Sequence, residues 1–108
     1  MKIFIAQDDG SKDFSKLLSI TQDVVICTTR QYPLLSQQSE HVAIIRDRMR
    51  DFDPECDTIV LVGDPINIGI VLHLALEKGG DIKLLKWSRF NYDYVPITLT
   101  FKEEQHHG

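Results

Sequence analysis

The segment at positions 57–69, with the sequence DTIVLVGDPINIG, constrains the fold more than any other part of the chain. Its β-branched and apolar residues at 59–62 show no polar alternation, which is typical of a central strand covered on both faces. Asp64 and Pro65 follow as a helix-start signal, with an N-cap carboxylate and a proline at the first helical position. The segment therefore predicts a buried strand that turns directly into a helix.

Similar apolar runs occur before and after this segment and predict a five-stranded sheet. The candidate strands are 3–6, 24–27, 59–62, 82–87 and 95–101. Helices are predicted between the first four strands, at 13–18, 39–52 and 65–78. Ser39 is the expected N-cap of the second helix, and Gly79 and Gly80 close the third.

The alternation of strands with helices favours a mainly parallel sheet, because a crossover helix returns the chain to the same end of the sheet. We predict a small Rossmann-like, three-layer α/β domain at residues 1–101, with an antiparallel hairpin at its C-terminal end. The first three strands should run parallel to one another. The polar residues 102–108 are predicted to form a disordered tail.

Several function classes are disfavoured by the sequence. Its apolar stretches fall short of the roughly 18 residues of a membrane span, and the N-terminal one is too short for a signal peptide, so we expect a cytoplasmic protein. Cys27 and Cys56 have neither disulfide nor metal-knuckle spacing. The sequence has no glycine-rich motif for nucleotide binding, and its residues form no recognisable catalytic or metal-binding set. We therefore predict no cofactor and favour a protein that is not an enzyme.

Polar loops follow the first three strands, and open α/β sheets bind ligands at the carboxyl ends of their strands. Helix N–H groups and the Arg30 guanidinium would suit a nucleotide or a small phosphorylated ligand. The carboxylate of Asp64 argues against phosphate, because it would already occupy the start of its helix. A magnesium site formed by Asp8, Asp9 and Asp64 is one alternative, and simple turn and cap roles are another. The candidate ligand-binding residues are Asp8, Asp9, Thr28, Thr29, Arg30, Gly63, Asp64 and Asn67.

Two histidines lie in predicted helices, and neither indicates catalysis. His73 is followed four residues later by Glu77, which predicts a packed histidine hydrogen-bonded to that carboxylate. His41 is expected on the solvated face of its helix.

The C-terminal hairpin is basic and aromatic in a chain with a formal charge of −4. Between positions 78 and 102 there are five lysine and arginine residues and two aspartates, interleaved with aromatic residues. This composition would suit single-stranded nucleic acid, although the overall charge opposes general binding to a polyanion. Alternatively, lysines guard an edge strand while aromatic residues form an interface, including that of a homodimer through the hairpin. The candidate interface residues are Lys83, Lys86, Trp87, Tyr92, Tyr94, Ile97 and Leu99.

Three segments together resemble a group of short uncharacterised proteins encoded by tailed bacteriophages. They are MKIFI at 1–5, PECDTIVLVG at 54–63 and GDIKLL at 80–85. The sequence RFNY at 89–92 departs from that group, where a glycine turn is more usual. The resemblance implies a protein made in the host cytoplasm during infection, acting without catalysis by binding a host or viral protein.

Overall fold

The computed structural model describes residues 1–101 of the 108-residue chain, so the predicted tail at 102–108 lies outside the described residues. The elements have the order that the sequence predicts. They are β1 (Ile3–Ile5), α1 (Ser15–Leu18), β2 (Val24–Ile26), α2 (Gln38–Arg48), β3 (Thr58–Val60), α3 (Pro65–Glu77), β4 (Ile82–Ser88) and β5 (Asp93–Leu99). Within the described part, no helix is both long enough and apolar enough to span a membrane.

The strands form one sheet in the order β2-β1-β3-β4-β5. β1 lies parallel to both β2 and β3, and β4 lies parallel to β3. β5 pairs antiparallel with β4 along its whole length, from Asp93 opposite Ser88 to Leu99 opposite Ile82. The predicted mainly parallel α/β sheet with a C-terminal antiparallel pair is therefore confirmed.

One face of the sheet, here called the covered face, packs against α2 and α3. Alternate residues of a strand point to opposite faces, so Phe4 and Ile59 face these helices while their neighbours face away. The Phe4 ring meets Phe52 edge-on, with the ring centroids 5.3 Å apart. The buried residues of this cluster are Phe4, Ala6, Cys27, Ile45, Met49, Phe52, Ile59, Val71, Leu74, Ala75 and Ile82.

The opposite face, here called the open face, is covered by α1, which is a single helical turn. Leu17 of α1 packs there and is fully buried. The other buried members of the cluster are Ile3, Ile5 and Val60. The strands are apolar on both sides, as the absence of alternation predicts. Two long helices pack on the covered face, whereas a single helical turn packs on the open face.

Element boundaries differ from the prediction by one to four residues, most at the end of α2, which stops at Arg48 rather than at Phe52. α2 begins one residue earlier, and its N-cap is Gln37 in a left-handed conformation (φ 64°), so Ser39 is not the cap. The Gln38 side chain donates to the Pro33 and Leu34 carbonyls at 3.1 and 3.2 Å, which ties the helix start to the preceding loop. β3 ends at Val60, because the chain then turns toward α3. Asp64 is confirmed as the N-cap of α3.

Candidate functional site

The carboxyl ends of β1 and β3 meet at the point where the chain connections diverge to opposite sides of the sheet. Such a switch point is the usual ligand site of an open α/β sheet. Here it is filled by the protein's own side chains. The Gln7 side-chain oxygen accepts the Asp64 backbone N–H at 2.7 Å and the Asn67 side-chain amide at 2.9 Å.

Asn67 is the centre of this network and is fully buried. Its Nδ2 also donates to the Arg30 carbonyl at 2.9 Å, and its Oδ1 lies 2.7 Å from Nε2 of His41. Gly63 lets the loop pass closely over Gln7: it has φ +109°, and a Cβ placed there would lie 2.4 Å from the Gln7 Cβ. The network therefore closes the switch point and fastens α2 and α3 to the loops.

The Asp64 carboxylate completes this closure. One of its oxygens accepts the Ile66 N–H at 3.0 Å, and the other accepts the Tyr32 N–H at 2.9 Å. These backbone donors, Tyr32 first, lower the pKa of Asp64 and keep the carboxylate charged. The start of α3 therefore already holds an anion, as the sequence indicates, and a bound phosphate would have to displace it.

The remaining candidate ligand residues are distributed around this network. Asp8 and Asp9 accept the backbone N–H groups of the residues two positions later, each at 2.9 Å, and so stabilise their own turn. Thr28 holds the Arg30 N–H at 3.2 Å, while Thr29 and the Arg30 side chain are exposed. Across residues 1–101, the His, Cys, Asp and Glu side chains form no group that could hold a metal ion. Ligand binding by these loops stays a prediction.

Three residues of the network are absent from the predicted set: Gln7, Tyr32 and His41. The expectation that His41 is solvated is wrong, because it is buried, edge-on to Tyr32 at 5.5 Å and bonded to Asn67. Its position four residues before the buried Ile45 places it on the same helical face, and this spacing was the available signal.

His73 also differs from its predicted environment. Its Nε2 lies 3.0 Å from the Glu77 carboxylate, so the predicted contact is confirmed. The ring is exposed rather than packed, because α3 turns this side toward solvent. Glu77 also accepts Arg46 of α2 at 3.0 Å, and this guanidinium is the main cause of its lowered pKa.

A second candidate site opens between β3 and the hairpin. β3 and β4 are paired at one register position, Ile59 with Leu84, and β4 then continues beyond the end of β3. Between the end of β3 and the continuing part of β4 lies a groove of about 800 Å³, here called the hairpin groove. Its apolar walls include Val60, Val62, Leu85, Trp87, Tyr94 and Ile97, and its rim includes Lys12, Asp13, Lys16 and Lys86.

Aromatic rings and a lysine shape the hairpin groove. Trp87 and Tyr94 meet at 5.2 Å with an interplanar angle of 70°. The Lys16 ammonium lies 5.6 Å from the Trp87 ring centroid, within cation–π range, and donates to the Tyr92 carbonyl. Burial raises the pKa of the Tyr94 hydroxyl, so this ring stays neutral. The groove therefore offers neutral apolar walls below ammonium groups.

Asp13 is the acidic residue of the rim, and its side chain is hydrogen-bonded to the backbone. Its carboxylate accepts the Ser15 N–H at 2.8 Å at the start of α1, and this bond lowers its pKa. Three lysines and one aspartate therefore line the hairpin groove.

The predicted interface residues divide into two sets. Those that line the hairpin groove are Lys86, Trp87, Tyr94 and Ile97. Tyr92 lies in the turn before β5, in a left-handed conformation (φ 48°). Lys83 donates to the Glu55 carbonyl at 2.6 Å, and Leu99 packs against the covered-face cluster, so neither belongs to the groove.

Comparison with protein families gives a match over nearly the whole chain. A family model described as "Phage Pam3 gp32-like protein" matches residues 2–101. Neither the curated proteins nor the solved structures contain a match.

Proposed function

Since the chain belongs to the Phage Pam3 gp32-like protein family, we propose that it is a non-catalytic phage accessory protein that acts by binding a host or viral protein. The family supports the phage origin predicted from the sequence. The hairpin groove is the surface to which we assign the protein contact.

The observation that carries this proposal is the combination of aromatic walls and lysines in one groove. Trp87 is 41% exposed, so part of its ring is available to a partner while the ring also packs against Tyr94. Tryptophan is among the side chains that contribute most to protein interfaces when a partner buries it. The walls of the groove are mostly aliphatic and aromatic, which suits insertion of an apolar side chain.

The charge around the groove specifies the partner further. Three lysines and one aspartate line it, although the chain as a whole carries −4. This local excess of positive charge attracts an acidic segment and repels a basic one. We therefore propose that the occupant is a protein segment with apolar side chains flanked by aspartate or glutamate. Single-stranded nucleic acid has the same sign of charge and becomes an outcome of the test.

The test is photo-crosslinking in infected host cells. A benzoylphenylalanine replaces Trp87 in one protein and Leu35 in a control; Leu35 is 97% exposed and does not line the groove. We expect a protein adduct at position 87 that is missing from position 35, and mass spectrometry of the adduct should identify an acidic segment. An adduct with nucleic acid, equal adducts at both positions, or a basic segment would contradict the proposal.

The captured segment, made as a peptide, then allows a quantitative test. Trp87→Ala should weaken its binding by about 30-fold or more, the usual effect of losing a central tryptophan anchor. Lys12→Glu with Lys86→Glu should slow association by about tenfold at low salt and by less at high salt. Arg48→Glu is the control, because Arg48 lies at the end of α2 and does not line the groove.

A further inference from the structure

β2 is an edge strand, and its outer side is available for hydrogen bonding. Ile3 donates to the Asp23 carbonyl at 3.0 Å, and Cys27 donates to the Ile5 carbonyl at 2.9 Å. In a parallel ladder these bonds place the polar groups of alternate residues toward β1, so those of Val24 and Ile26 point outward. The Val24 N–H already donates to the Gln22 carbonyl at 3.2 Å. The outer edge therefore presents the Ile26 N–H and the carbonyls of both residues.

The other edge of the sheet is formed by β5, and two of its N–H positions cannot pair with another chain. On β5, Pro96 has no N–H, and the Tyr94 N–H donates to the Asp93 side chain at 2.8 Å. Proline and side-chain capping are common ways in which proteins prevent an edge strand from pairing with another chain. Two N–H positions on the outer side of β5 are therefore unavailable to another chain, which limits backbone pairing in a homodimer through the hairpin.

A groove of about 450 Å³ runs beside the outer edge of β2, between β2 and α2, and is here called the edge groove. Val25 and Ile44 contribute apolar walls from the strand and the helix. Arg30 and Arg48 also line it, opposite a single carboxylate, that of Glu40. In the part of the chain that the structure describes, neither arginine takes part in an ion pair.

We propose that an extended, acidic peptide segment binds in the edge groove by adding to β2 as a further strand. Its backbone would exchange hydrogen bonds with Val24 and Ile26, which gives affinity without dependence on sequence. Its acidic side chains would lie against Arg30 and Arg48, and this charge pairing gives preference for one class of peptide. The proposal concerns a surface on the opposite side of the sheet from the hairpin groove and does not depend on the proposed function.

The test begins with selection of short random peptides displayed on particles, with the full chain as bait. We expect the selected peptides to be rich in aspartate or glutamate and in β-branched residues. Methylation of alternate backbone nitrogens in a selected peptide should weaken its binding at least tenfold, because a methylated nitrogen cannot donate to β2. No enrichment, a basic consensus, or equal binding of the methylated peptide overturns the proposal.

Two measurements locate the peptide on the protein. Amide exchange of Ile26 should slow at least tenfold on peptide binding, because its N–H would gain an acceptor; this readout needs no substitution. Arg48→Glu should weaken binding about tenfold, whereas Arg89→Glu makes the same charge change in the hairpin turn and should have no effect. Unchanged exchange at Ile26, or equal effects of both substitutions, overturns the assignment to the edge groove.

Two further controls separate this proposal from other interactions. Trp87→Ala should leave the selected peptide bound with unchanged affinity, so failure at the hairpin groove and failure at the edge groove are distinguishable. Light scattering of the chain alone tests the second possible occupant. If two copies pair through β2, the chain will scatter as a dimer and the amide exchange of Ile26 will slow as the protein concentration rises, and that result overturns the peptide proposal.

Discussion

The covered face and the open face of the same sheet differ in how they are packed. Among residues 1–101, eleven buried apolar residues join the covered face to α2 and α3, and four lie in the cluster beneath α1. Because burial of apolar area is the main source of folding free energy, the covered face supplies most of it. The open face retains an apolar groove that contains a tryptophan and a tyrosine. Most of the stability and the hairpin groove therefore lie on opposite sides of one sheet.

The largest expected effect is the removal of a large side chain from the covered face. Phe4 is 1% exposed and packs edge-on against Phe52. Phe4→Ala should lower the free energy of unfolding by about 3–5 kcal/mol, the usual cost of deleting a buried ring. Urea denaturation checks this value, with Phe4→Leu as a milder variant if the alanine variant does not fold. A loss below about 1 kcal/mol would show that the covered face is not the main source of stability.

A smaller loss is expected on the open face. Leu17 is the fully buried residue of α1, and α1 has only four residues. Leu17→Ala should cost about 2 kcal/mol, at the lower end of the range for buried leucines, because a single turn can move to fill the cavity. The same urea experiment measures it. A loss as large as that of Phe4→Ala would remove the distinction between the faces.

The main features of the fold were predictable because local sequence decides them. Apolar residues on both sides of the short strands require a sheet that is packed on both faces, and this pattern is read directly from positions 3–6 and 59–62. Asp64 and Pro65 begin α3 through a cap that involves only neighbouring residues. The parallel order follows, because each pair of successive strands from β1 to β4 has a helix between its members.

The site was less predictable because long-range contacts decide it. His41 meets Asn67 across two helices, and Gln7 meets Asp64 across two loops, so no local pattern announces either contact. The hairpin groove depends on how far β4 continues beyond β3, which is a matter of strand register. The aromatic and basic composition of 83–94 did indicate a binding surface, but not that Lys83 and Leu99 lie away from it.

The network at the carboxyl edge joins α2 and α3 of the covered face to the loops. The contribution of the Asp64 charge to stability can be measured by varying the pH. Backbone donors lower the pKa of Asp64 in the folded state, so its carboxylate stabilises the fold above its unfolded pKa of about 3.9, and this contribution is lost as the pH falls through the lower, folded value. Asp64→Asn keeps one acceptor but cannot accept both N–H groups, and it should lower the melting temperature by less than Leu17→Ala does.

The melting temperatures of the wild type and of Asp64→Asn, compared between pH 7 and pH 3, provide the measurement. The difference should be largest at pH 7 and should shrink below about pH 4, where the Asp64 carboxyl of the unfolded wild-type chain becomes protonated before that of the folded protein. Other carboxylates are common to both proteins and cancel in the comparison. A difference that does not change with pH would show that shape rather than charge makes Asp64 important.

The smallest change in stability is expected at the hairpin groove. Trp87 is 41% exposed and rests on Tyr94 and Lys16, so its removal opens no buried cavity. Trp87→Ala should change the free energy of unfolding by no more than about 1 kcal/mol, within the range of surface substitutions that lose one weak cation–π contact. Urea denaturation measures it beside Phe4→Ala. A loss comparable with that of Phe4→Ala would make Trp87 part of the folding core, and its exposure would then say nothing about a partner.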